Sequence, residues 1–237
     1  MNADLVIDRL FEALIAGDRP AARTIVAEQL NAGVEPAVIM TDLYWPTYQL
    51  LDKLFRADKL TTLSHNYATR LLRVLIDQTA ADLRAQAEPL AKGRRLVAAC
   101  GPSEASELGA QIAVDLLEAS GFNVKFAGGA VPFDELQATV QQSQPDAIVL
   151  FCSEPGDLPG IRQFIDNLYE VGACTNTQIV VGGGVFNRAE ELAEEIGADL
   201  WATDPIELVD TLVHDADHRA PADQRTVGRK RRVSKAA

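Results

Sequence analysis

The stretch Leu96-Val97-Ala98-Ala99-Cys100, Gly101-Pro102-Ser103-Glu104-Ala105-Ser106-Glu107-Leu108-Gly109 and Ala110 to Ala119 decides the fold. The first part is a short apolar run of the kind a buried strand needs, and the last has the spacing of a helix. The nine residues between them are therefore a strand-to-helix loop. In a parallel sheet such loops sit at the carboxyl ends of the strands, where they line the crevice that ligands favour.

The same texture continues downstream. Apolar runs at Asn123 to Ala127, Ala147 to Cys152, Gln178 to Val181 and Leu200 to Ala202 alternate with helical stretches at about 107–120, 133–143, 158–171, 187–195 and 205–213. Strands and helices alternating at this spacing predict right-handed crossovers and a parallel sheet covered on both faces, an α/β fold.

Upstream the pattern is helical throughout. Leu5, Ile7, Leu10, Phe11, Leu14 and Ile15 keep helical spacing, Gly17 closes that element, and Asp18 caps the next, with Pro20 in its first turn. A third helix begins near Pro36 and runs into Tyr44, Trp45 and Tyr48, with Pro46 expected to kink or divide it. The longest starts near Thr62 and carries Leu63, Tyr67, Leu71, Leu72, Leu75, Ile76 and Leu83 on one broad stripe. Successive amphipathic helices joined by short turns predict a small antiparallel bundle. The organisation expected is a helical bundle over 1–88, a linker with Pro89 and Gly93, an α/β domain over 94–215, and a flexible basic tail over 216–237.

The 237 residues are 47% hydrophobic and 24% charged, enough to bury a sizeable core, and the formal net charge is −12. That charge argues against a nucleic-acid-binding body and against affinity for anionic membranes. Nucleic acid is expected to be reached, if at all, through the tail cluster Arg229-Lys230-Arg231-Arg232, whose other reading is a solvated, solubilising end. Cys100, Cys152 and Cys174 lack CxxC spacing and read as small core residues of a reducing compartment. No stretch has the length of a membrane span, so a cytoplasmic protein is expected.

The second half resembles the cobalamin-binding domain family, a flavodoxin-like fold found in methionine synthase, corrinoid methyl carriers and cobalamin-dependent photoreceptor regulators. The family loop Asp-x-His-x-x-Gly, whose histidine ligates cobalt from below, falls on Glu104-Ala105-Ser106-Glu107-Leu108-Gly109. Gly109 is kept, Glu104 replaces the aspartate, and Ser106 replaces the histidine. The family's Ser-x-Leu falls on Ser153-Glu154-Pro155, keeping the serine, and its Gly-Gly on Gly182-Gly183-Gly184. The upstream bundle resembles the cap of the regulators and methyl carriers. His65 stands where the regulators place a cap histidine, with Ser64 in place of its glutamate and Leu54 in place of a tryptophan.

The resemblance implies a five-stranded parallel sheet domain behind an all-α cap. It implies a cofactor set of His65, Glu104, Ser106, Gly109, Ser153, Gly183 and Gly184, with His65 as a metal ligand. A serine hydroxyl is a weak cobalt donor beside an imidazole. Cobalamin without a lower histidine, haem, a linear tetrapyrrole between cap and sheet domain, or no cofactor are therefore the outcomes left open.

The function expected first is a non-enzymatic sensor or regulatory module signalling to a protein partner, such as a transcription regulator. The alternatives are a corrinoid carrier subunit serving a methyltransferase and a cofactor-free scaffold; a homo-oligomer is left open. Rival catalytic motifs are missing. Gly101-Pro102-Ser103 is no dinucleotide loop, and Cys152-Ser153-Glu154 is no nucleophile elbow.

Overall fold

The computed structural model describes residues 3–86, 90–91, 93–102, 107–172, 176–189 and 191–221. They form two units. One is Met1–Gly93 with Leu108–Phe122, the other Arg94–Glu107 with Asn123–Ala237.

In chain order the first unit holds helices α1 (Ala3–Ala16), α2 (Arg19–Asn31), α3 (Pro36–Val38), α4 (Trp45–Arg56) and α5 (Thr62–Gln86), and nearly all of α6 (Glu107–Ala119). Gly17 turns the chain at φ +69°, and the Asp18 side chain accepts the Ala21 N–H at 3.0 Å, so α2 starts where its cap stands. Pro46 neither breaks nor sharply divides the third helical stretch. Ile39–Tyr44 widens into a π-helix, and the Trp45 N–H reaches the Met40 carbonyl five residues back. Pro46 has no N–H to give, and the wider turn is how the helix passes it. Thr47 donates its hydroxyl to the Leu43 carbonyl at 2.6 Å.

Helix α5 is the spine of this unit. It buries Leu71, Leu72, Leu75, Ile76 and Leu83, each worth about 1.5–3 kcal/mol of transfer free energy. Tyr44 lies fully buried against it, its hydroxyl 3.0 Å from Thr79 Oγ1, and burial pushes its phenol up to about 12. Helix α6 joins the same unit through close contacts. A methyl group on Gly109 would lie 2.9 Å from Tyr48 Cε1, so the missing Cβ is what lets that ring approach. Arg84 of α5 pairs with Glu118 at 3.1 Å and with the buried Asp115 at 3.5 Å. The linker is held here too: Leu90 and Ala91 donate to the Ser120 carbonyl, and Gly93 to Gly121. The sequence reading assigns α6 instead to the α/β domain over 94–215.

The second unit is built on β1 (Arg95–Cys100), β2 (Asn123–Phe126), β3 (Ala147–Phe151), β4 (Gln178–Gly182) and β5 (Leu200–Ala202). All pair in parallel, in the order β2-β1-β3-β4-β5, the five-stranded flavodoxin-like arrangement expected. Its helices are α7 (Phe133–Ser143), α8 (Leu158–Val171), α9 (Gly184–Arg188), α10 (Leu192–Glu195) and α11 (Pro205–His214). Strands β3 and β4 are buried at every residue, which is why they read as unbroken apolar runs. Val97, Ile148, Leu150, Ile179 and Val181 pack with Ile161, Phe164 and Ile165 of α8.

Two expectations are corrected. The single helix expected at 187–195 is two short ones, because Ala189 leaves helical geometry at φ −147°. Residues 216–221 are bonded to the amino edge of the sheet, not loose tail. Gln178, fully buried at the start of β4, donates its amide to the Asp215 and His218 carbonyls at 2.9 Å each. Arg94 bonds the Leu212 carbonyl, and Asp199 accepts from both Ile179 N at 2.7 Å and Ala220 N at 2.7 Å. Main-chain carbonyls held by polar side chains leave no apolar period for sequence inspection to find. The basic cluster at 229–232 lies outside the described residues. Among the described residues no helix is long and apolar enough to cross a membrane.

Candidate functional site

Strand order reverses between β1 and β3, and the loops at the carboxyl ends of these strands define the crevice of the second unit. Each loop is tied to its neighbour. Gly101 donates to the Phe151 carbonyl at 2.8 Å, joining the ends of β1 and β3. Cys100 donates to the Gly128 carbonyl at 2.8 Å, and the Glu107 carboxylate accepts the Gly129 N–H at 2.9 Å, joining the β1 and β2 loops. Arg188 of α9 donates to the Ser153 carbonyl at 2.8 Å, and Asn187 to Thr203, joining the loops after β3, β4 and β5.

The glycines at this edge are explained by the protein's own atoms. A methyl group on Gly183, whose φ is +108°, would lie 2.5 Å from the Cys152 carbonyl oxygen. One on Gly101 would meet the Asp157 side chain, with Asp157 Cβ at 2.7 Å, and one on Gly128 would sit 3.1 Å from Glu107 Oε1. Gly184 opens α9 directly after Gly183. Asp157 and Glu154 act on the Cys152 thiol from this edge, with the Arg188 guanidinium opposing them. Burial, with Asp157 adding to it, pushes the Cys152 thiol up to about 12. That thiol is a core residue and no neutral-pH nucleophile.

The expected site residues therefore divide. Ser153, Gly183 and Gly184 stand together at the carboxyl edge of the sheet unit. Gly109 packs on Tyr48 within the helical unit. Glu104 and Ser106 lie outside the described residues. His65 stands near the start of α5, stacked on Phe55 with ring centroids 3.9 Å apart and planes 15° from parallel. Burial lowers its pKa, with Asp52 opposing, so at neutral pH the imidazole is uncharged and able to donate to a metal. Among the described residues no group of three His, Cys, Asp or Glu side chains converges to hold a metal ion.

Sequence inspection missed the roles of Asp157 and Arg188. Each acts across a loop on backbone that is distant in sequence, and neither spacing nor composition carries that signal. The Glu107 carboxylate, in the first turn of α6, likewise reaches across to the β2 loop.

The B12 binding domain family models match residues 94–210 and, separately, residues 6–78. The chain is 31% identical over 103 residues to dimethylamine corrinoid protein 1 of Methanosarcina acetivorans, a match covering 44% of this chain and 47% of that protein. It thus spans about half the length of that relative. To dimethylamine corrinoid protein 1 of Methanosarcina mazei it is 25% identical over 204 residues, 86% of this chain and 93% of that protein. The structure of the Methanosarcina barkeri monomethylamine corrinoid protein superposes with a TM-score of 0.78 at 17% identity, covering 90% of this chain and 99% of that one, a likeness of fold. With one domain model on the helical half and another on the sheet half, the chain belongs to the cobalamin-binding domain family that carries a helical cap before its sheet domain.

Proposed function

We propose that this protein is a corrinoid carrier, binding a cobalt corrinoid and presenting it to a methyl-transferring protein partner. The observation that supports this is the alignment, through both halves and in the same order, with a dimethylamine corrinoid protein over 86% of the chain. It favours the carrier over the sensor or regulator expected first. A corrinoid takes the place of haem and linear tetrapyrroles as the cofactor class, and a methyltransferase takes the place of a transcription regulator as the partner.

When bound, the corrinoid supplies a cobalt centre that accepts and releases a methyl group. In the helical unit His65 would be the donor, and the sheet unit would contribute the loops after β3 and β4. The neutral His65 imidazole is a competent donor. The sheet half offers no imidazole from Arg94 through Val213, since the chain's three histidines are His65, His214 and His218. Ser153, Gly183 and Gly184 sit where the crevice of a parallel sheet receives ligands.

Titration of the purified chain with hydroxocobalamin, haem and biliverdin, followed by absorption and calorimetry, tests this proposal. Saturable binding of the corrinoid alone is expected. Absence of corrinoid binding overturns the carrier and leaves the cofactor-free scaffold.

A further inference from the structure

We infer that the seam between α5 and α6 is a proton-operated clasp, closed while Asp115 carries a proton and loosened when that carboxyl ionises. The seam lies within the helical unit, and its working needs no bound corrinoid.

The Asp115 side chain is 4% exposed, and among the described residues Asp115 and Asp199 are the two buried carboxylates. They are held very differently. Asp199 accepts two main-chain N–H groups at 2.7 Å each, from Ile179 and Ala220. Asp115 accepts one side-chain amide, Gln111 Nε2 at 3.2 Å, and its cation, Arg84, stands 3.5 Å away. That guanidinium is half-exposed and lies closer to Glu118, at 3.1 Å. One cation of α5 therefore faces two carboxylates of α6, and Asp77 of α5 adds a third negative charge. A buried carboxylate without strong donors or a cation of its own is costly as an anion. It takes a proton instead, and the Gln111 amide, with a donor and an acceptor, serves either form. Burial raises this carboxyl from 3.8 to about 6, with Gln111 and Arg84 opposing and Glu118 and Asp77 adding to the rise.

The two ends of α6 are attached in different ways. Near its start the Tyr48 ring packs on Gly109. Near its end stand Arg84, Asp115 and Glu118, followed by the Ser120 carbonyl that accepts from Leu90 and Ala91. Ionisation of Asp115 acts on the second end and leaves the ring packing in place. Opening the seam returns the carboxyl to water, which the ionised form prefers. Openings therefore become more frequent as pH rises through about 6 and rarer below it. The proton thus sets how firmly the helix that follows the first-strand loop is held.

Amide hydrogen exchange on the full chain at about pH 5 and about pH 8 tests the clasp, with each rate corrected for its intrinsic chemical rate and the buried strand β3 as internal reference. Protection of Asp115 to Ala119 relative to β3 is expected to fall about tenfold between the two, the change that a carboxyl moved from 3.8 to about 6 gives over that interval. A fall smaller than about threefold overturns the clasp. Asp115→Asn keeps the shape and removes the charge, so its relative protection is expected to stay constant. A tenfold fall that persists in this variant assigns the effect to another group and overturns the clasp as well. Arg84→Gln keeps the carboxyl titratable and withdraws its cation. The carbon-13 signal of the Asp115 carboxyl is expected to titrate at about 6 in the native chain and higher in Arg84→Gln. A native midpoint near an ordinary ~4, or a variant midpoint unchanged or lower, overturns the clasp even if Asp115→Asn does not fold.

Discussion

Gly183 shows how one missing methyl group fixes a loop. Its φ of +108° is left-handed territory that side chains avoid, and an added Cβ would press on the Cys152 carbonyl oxygen at 2.5 Å. Backbone meets backbone there, so nothing can swing aside. Gly183→Ala is expected to lower stability by roughly 1–3 kcal/mol, measured as a fall in the urea midpoint. Gly156, with nothing within 4 Å of an added Cβ, is the matched control, and Gly156→Ala is expected to stay within about 0.5 kcal/mol. At this scale sequence located the glycines, and the family motif gave them a ligand to face. What it could not show is that Asp157 packs on Gly101, the Cys152 backbone on Gly183 and Arg188 on the Ser153 carbonyl, because those contacts join segments that neither spacing nor composition links.

Between elements, the most informative contact is Asp115 of α6. Its side chain is 4% exposed, 3.5 Å from the half-exposed Arg84 and 3.2 Å from Gln111 Nε2. Burial raises its carboxyl from 3.8 to about 6, with the Gln111 bond and Arg84 opposing. A raised carboxyl means that the folded protein prefers the protonated form. Its contribution to stability is therefore full below about pH 4 and lost as pH rises through about 6. Asp115→Asn is expected to stabilise the protein by about 1–3 kcal/mol at pH 7.5 and to change little at pH 4. Urea unfolding at the two pH values checks this, and equal effects at both would refute it. Element boundaries were legible wherever a breaker stood. Helix α8 ends at Gly172 in left-handed geometry, and α2 begins at its Asp18 cap. The expected helix at 187–195 failed because apolar spacing continues across Ala189 while the backbone does not.

For the whole molecule, parallel order and the two-part build were open to inspection, since buried strands alternating with helices have few other solutions. The strap after α11 was not, being made of Asp, Ala, His and Arg without period. Ending the chain after His214 removes the carbonyls that satisfy the buried Gln178 amide and the N–H that meets Asp199. That loss is expected to cost about 2–4 kcal/mol, whereas ending it after Pro221 is expected to leave the thermal midpoint unchanged. Calorimetry on the two shortened chains separates a strap from a spare tail.

The Tyr48 ring lying in the space left by Gly109 has a consequence for inheritance. Neither position is free to drift alone: a side chain gained at 109 evicts the ring, and a ring lost at 48 leaves a void against α6. In any lineage of this chain the two positions should change as a pair, in compensating volumes, although 60 residues lie between them.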